Sequence, residues 1–157
     1  MTDYWITTHW PIPVTDPPFS RNVYVKESRV TLPNRGDVVF IREAVYARDK
    51  NQRPVRKVDM HHGGRVVGGI HVPKGTGGII GVATVDGTRR DQVPGDVVFD
   101  YGDLREWKVI PCRDFQPAKL PLDDLRTLLR KDNVRGLNLW PMNNEELGLK
   151  VLKALRR

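Results

Sequence analysis

Cysteine is almost absent. Cys112 stands alone in a chain of 157 residues, so no disulfide can close within it and no cysteine-based zinc site can be built, which suits a reducing compartment. No apolar run approaches the roughly 18 residues that a membrane span requires. The opening MTDYW has neither the basic end nor the apolar stretch of a secretion signal. The expectation is a cytoplasmic protein with no membrane partner.

Catalytic signatures are missing too: neither G-x-S-x-G nor H-E-x-x-H occurs. PKGTGGIIG puts Lys74 ahead of its glycines with no Lys-Ser/Thr behind them, so the phosphate-loop pattern fails, as does G-x-G-x-x-G; the stretch reads as a flexible hairpin turn. His61 and His62 are adjacent in MHHGG, and on a strand their side chains diverge rather than pair on a metal. His9 and His71 have no spacing that joins them. Glu43 and Asp59 are far apart in sequence, and Asp123 with Asp124 marks a helix start. The chain is therefore read as non-catalytic, with no metal and no cofactor. A small metal-dependent nuclease using His61, His62 and carboxylates is the least favoured alternative.

What is present is a chain long enough for one domain, residues 1–157, with a core of its own. Apolar residues are 39% and charged residues 29%, close to the soluble average. Lys and Arg exceed Asp and Glu by enough to leave a formal charge of +7, and a basic surface attracts polyanions, nucleic acid being the commonest. Solubility alone is the plainer explanation of such charge.

Alternating apolar and β-branched residues predict strands in YWITT, VYVKESRVTL, GDVVFIREAVYA, RVVGGIHVPK, GGIIGVATVDG and WKVIPCRDF. Cys112, within the last of these, reads as a packed thiol. Gly68 and Gly69 suggest a bulge or a close backbone approach. Between Arg42 and Lys57 six basic residues face two acids, which reads as a basic loop. The stretch from Asp86 to Glu106 fits either a short strand or an ordered loop. Leucines 122, 125, 128 and 129 form a helical stripe, acidic at its start and basic at its end. Leu147, Val151, Leu152 and Leu155 repeat the pattern behind Asn143 or Asn144 as cap.

The tryptophans invite a functional reading. Most large aromatics fill core, yet Trp10 follows a strand end between His9 and Pro11, Trp107 begins a strand, and Trp140 sits between elements. Ring faces at such places can hold a flat base, each stack worth about 1–3 kcal/mol. A flipped base also requires partners for its edge, and Thr8, His9, Asn22, Glu43 and Asn138 qualify.

Taken together, YWITTHWP, GDVVFIREA, RVVGGIHV, WKVIPCRDFQPAKLPLDDLR and NVRGLNLWPMNNEELGLKVLKAL resemble successive landmarks of the EVE domain, a member of the PUA-like superfamily with the YTH and ASCH domains. The Asp91–Gly102 stretch has no counterpart there, and His9-Trp10 replaces the commoner Ser-Glu or Ser-Asn. The resemblance implies an α+β fold: a curved, barrel-like sheet of five to six strands with flanking helices, the C-terminal helix packed on the sheet. It also implies a reader of modified bases, 5-methylcytosine or 5-hydroxymethylcytosine in double-stranded DNA, flipped into an aromatic pocket, as in sensor modules of modification-dependent restriction systems with a fused or separate nuclease. Position-matched residues are Thr8, His9 and Trp10, then Arg42 and Glu43, then Trp107, then the loop of Asn138, Leu139 and Trp140. The expected walls are Trp10 with Trp107 or Trp140, with Glu43 or Asn22 addressing the exocyclic amine. Arg21, Arg42, Arg48, Arg53, Arg56, Lys57, Arg89 and Arg90 are the phosphate candidates. A PUA-like module reading a modified RNA base is the alternative.

Overall fold

A computed structural model describes residues 2–11, 22–130 and 139–156. Its centre is a five-stranded sheet in the order β10-β1-β3-β6-β9. The strands are β1 (Tyr4–His9), β3 (Val38–Glu43), β6 (Ile79–Val85), β9 (Cys112–Leu120) and β10 (Trp140–Pro141). β1 and β3 run parallel, Tyr4 opposite Val38 through His9 opposite Glu43, and every other pairing in this sheet is antiparallel.

Strand alternation sorts the apolar side chains into two cores. Tyr4, Ile6, Phe40, Val82, Ala118 and Leu120 face one side, and Trp5, Val39, Ile41, Ala83 and Val85 the other. A sheet buried on both faces needs nearly continuous apolar strands, and VVFI supplies one. The first side is covered by helices α1 (Leu122–Leu129) and α2 (Glu145–Ala154), which contribute Leu125, Leu129 and Val151. Asn144 caps α2, its side-chain oxygen accepting from the Leu147 amide at 3.1 Å. Gly148 lets α2 lie flat on the Tyr4 ring, where a Cβ would collide. The C-terminal helix therefore packs on the sheet as expected.

The second side is covered by a two-stranded sheet, β2 (Val23–Lys26) against β8 (Trp107–Ile110). WKVIPCRDF is thus two strands in different sheets. Pro111 ends one, having no amide for a ladder, and Cys112 opens the other. Trp5 is sealed here at 4% exposure, its indole Nε1–H donating to the Asp37 carboxylate at 3.0 Å. That carboxylate also accepts from the amides of Asn34 at 2.8 Å and Asp3 at 3.2 Å.

Among the described residues the strands do not close into a barrel, and they outnumber the five or six expected. The surplus is largely a third sheet, β5-β4-β7, made of β4 (Lys57–His62), β5 (Arg65–His71) and β7 (Val98–Asp100). β7 resolves part of the Asp86–Glu106 ambiguity, and a short 3-10 turn, Leu104–Glu106, follows it. The ladder between β4 and β5 slips opposite Gly68-Gly69, which is the suspected bulge. No described helix is long and apolar enough to cross a membrane.

The glycine stretch after β5 is not a flexible hairpin turn. It is a strap that crosses from the third sheet to β6, pressed so closely to its neighbours that a Cβ at Gly75 would strike the Ala44 carbonyl and one at Gly78 the Leu120 carbonyl. Two consecutive side chains of β3 hold it. Arg42 Nε–H donates to the Gly77 carbonyl at 2.7 Å, and the Glu43 carboxylate accepts from the Thr76 amide at 2.9 Å.

Candidate nucleic-acid interface

Because β1 and β3 are parallel, their carboxyl ends lie side by side, with Thr8 opposite Arg42 and His9 opposite Glu43. Rings gather just beyond the β1 end. The His9 imidazole meets Tyr24 of β2 edge-on, centroids 5.6 Å apart and planes at 62°. Trp10 tilts against Tyr101, at 6.4 Å and 54°, and the Tyr101 hydroxyl donates to the Pro11 carbonyl at 2.8 Å. Edge and tilted arrangements are the favoured ones for ring quadrupoles. All four residues are half-buried.

Tyr101 joins this cluster to the third sheet, since it directly follows β7, whose Asp100 pairs with Asp59 of β4. Its neighbour Gly102 lies against Asp49 of the basic loop. That loop is ordered from within. Asp49 Oδ1 accepts from the amides of Asn51 at 2.8 Å and Arg53 at 3.0 Å, while Arg48 donates to the Gln52 carbonyl at 3.1 Å. The loop's acid is therefore occupied by backbone amides. Arg53, Arg56 and Lys57 stand exposed, as does Arg65 on β5. Among the described residues none of these four has a carboxylate within 4.0 Å.

Comparison with family models, with characterised proteins and with solved structures gives no match.

Several expected site residues lie elsewhere. Trp140 is paired opposite Ile6 on β10 and packs on the helix-side core. Trp107 lies beneath Lys26, whose ammonium stands 5.6 Å from the ring centroid. The described aromatic partner of Trp10 is Tyr101. Asn22 is 3% exposed, and its side-chain oxygen accepts from the Cys112 amide at 3.0 Å, fixing the corner where the chain passes between sheets. Leu139 is buried in the core on the Trp5 side. Arg42 and Glu43 serve the glycine strap. Arg21 and Asn138 lie outside the described residues.

Two phosphate candidates are also committed to the fold. Arg89 donates to the carbonyls of Arg29 at 2.6 Å and Lys26 at 3.2 Å. Arg90 grips both oxygens of Asp96 at 2.8 and 2.9 Å; this hydrogen bonding raises the Arg90 pKa and holds the Asp96 carboxyl below its ordinary value.

Tyr24 and Tyr101 were missed by sequence reasoning. Tyr101 had a usable signal, an aromatic in the turn sequence Asp100-Tyr101-Gly102 next to a basic loop, but it fell where strand and loop were indistinguishable. Tyr24 looked like any strand aromatic. Burial pushes the Cys112 thiol up to about 12, in keeping with a packed thiol rather than a nucleophile. No three His, Cys, Asp or Glu side chains gather into a metal-ligating group among the described residues. A depression of about 310 Å³ at the β4–β5 turn is lined by His61, His62, Arg65, Gln92 and Asp96, among others.

Proposed function

We propose that this chain is a non-catalytic nucleic-acid-binding module that holds a single base against the rings at the end of β1 while the basic loop and the β4–β5 ribbon grip phosphates. The carrying observation is adjacency. Half-buried rings of His9, Trp10, Tyr24 and Tyr101 adjoin, through Tyr101-Gly102, a surface whose exposed cations have no carboxylate partners among the described residues. Stacking tolerates any base and supplies affinity; uncompensated Lys and Arg release counterions from a phosphate backbone and supply salt-dependent capture.

The resemblance of the sequence to EVE domains makes a modified cytosine in double-stranded DNA the preferred ligand. Burying one extra methyl contributes about 1 kcal/mol, so discrimination between cytosine and 5-methylcytosine should be modest unless shape adds to it.

The test is a titration against one duplex carrying cytosine, 5-methylcytosine or 5-hydroxymethylcytosine at its centre. Trp10→Ala is expected to abolish preference among the three while leaving salt-dependent background binding. Arg53→Glu with Arg56→Glu should weaken all three together and flatten the salt slope by about 0.9 per lost phosphate contact. Unchanged preference in Trp10→Ala would refute the aromatic assignment, and undiminished binding in the double reversal would refute the basic surface.

A further inference from the structure

Arg42 is a buried cation without a counterion. It is 5% exposed, and buried charges in proteins are as a rule paired or hydrogen-bonded on all sides. Its Nε–H donates to the Gly77 carbonyl at 2.7 Å, but a carbonyl is a dipole and cancels no charge. Among the described residues no carboxylate lies within 4.0 Å of it. Glu43, its neighbour in sequence, is turned to the Thr76 amide.

A second guanidinium stands close by. Gly77 is seated on Leu122, in the first turn of α1, where a Cβ would come within 2.9 Å of the leucine side chain. Arg126 follows Leu122 by four residues and so lies on the same side of the helix. Its outer nitrogen reaches Asp123 at a long 3.4 Å, where the acid is 95% exposed and its charge is largely screened by water. Its Nε is buried and has no hydrogen-bond partner among the described residues. Burial first, and then repulsion from Arg126, hold the Arg42 pKa below the usual arginine value. Two like charges thus stand at the seam where the strap meets α1, Arg42 through Gly77 and Arg126 one turn beyond Leu122, and the Arg126 Nε–H is unspent.

An oxyanion answers both deficits, since its oxygens accept from several guanidinium N–H groups while its charge offsets theirs. Free phosphate brings between one and two negative charges near neutral pH and a backbone phosphodiester one, and either presents several acceptor oxygens that can bridge the pair. We propose that Arg42 and Arg126 form a binding site for a phosphate group, distinct from the ring cluster and from the exposed basic loop.

The phosphate can come from solution or from a nucleic-acid backbone, and one set of measurements separates these sources. Thermal unfolding of the full chain is followed with inorganic phosphate at ionic strength held constant by sodium chloride, for the wild type and for Arg126→Gln. Only the Nε side of Arg126 is enclosed, so the variant should fold. If the ligand is free phosphate, the wild-type Tm rises by about 3–5 °C at ten times Kd, the phosphorus-31 resonance broadens on adding protein, and Arg126→Gln loses both responses. If the group belongs to nucleic acid, inorganic phosphate has no effect, and Arg126→Gln weakens duplex binding several-fold irrespective of the central base. The proposal is overturned if wild type and Arg126→Gln respond identically to inorganic phosphate and to duplex. Trp10→Ala, in which the ring cluster is broken, should keep the phosphate response, so failure of the base-reading assignment and failure of this one are told apart.

Discussion

In the five-stranded sheet both faces are covered, and its central strands β1, β3 and β6 spend most of their side chains on one core or the other. β5 is the opposite: six of its seven residues are exposed, Val66 by 57%, and its outer edge pairs with no described strand. A bare edge invites pairing with other chains unless charge or a bulge blunts it. β5 has both, Arg65 at its start and the slip at Gly68-Gly69. One region is arranged to be stable, and the other is arranged to be reached. The ring cluster sits where they meet.

This contrast is sharpest in core truncation. Phe40 is fully buried and stacks on Tyr4 with centroids 6.1 Å apart, so Phe40→Ala should cost about 3–5 kcal/mol in urea unfolding. A loss near zero would mean that the helix-side core does not hold the molecule together.

Between the extremes lies the anchor of the loop leading into β7. Asp96 is 7% exposed and is gripped by Arg90, itself about one third exposed, so Asp96→Asn should cost about 1–2 kcal/mol at pH 7. The folded-state pKa of Asp96 lies below its ordinary value of 3.8. Its contribution is therefore fully present above that value and is lost as pH falls through the lower, folded-state pKa. The stability difference between wild type and Asp96→Asn should shrink on acidification below about pH 4, which pH-dependent denaturation would read out; a constant difference would show that the carboxylate charge is not what matters.

The smallest effect belongs to the ribbon. Val67→Thr should change stability by less than about 0.5 kcal/mol, and a larger loss would mean that β5 is covered in solution.

The sequence was most informative where burial imposes a period. The leucine stripes mark both helices, Asn143-Asn144 marks the cap of the second, and the apolar run VVFI lies in a segment that reads as strand. β4 escaped notice because half of KVDMHH is exposed and it has no apolar period to read. The break at Pro111 was hidden for a different reason: both halves of WKVIPCRDF look like strand, and nothing local says that they belong to different sheets.

The candidate site was legible as a neighbourhood and not as a set of contacts. His9 and Trp10 were picked out by their place at a strand end. Trp107 and Trp140 were grouped with Trp10 as walls, because what decides their places is remote: Lys26 for Trp107, and the pairing of β10 with β1 for Trp140. Arg42 was taken for a pocket residue since its burial comes from the strap and α1, more than thirty and eighty residues downstream.

The pairing of β1 bears on how the molecule is made. One edge of this strand is completed by β3, but the other waits for Trp140 and Pro141, and the Tyr4 ring waits for Gly148 of α2. During synthesis that edge therefore stays unsatisfied until Trp140 and Pro141 have left the ribosome. Assembly of the central sheet is thereby a late event that joins distant parts of the polypeptide, and slow folding, with a need for protection of the nascent β1, is the expected consequence.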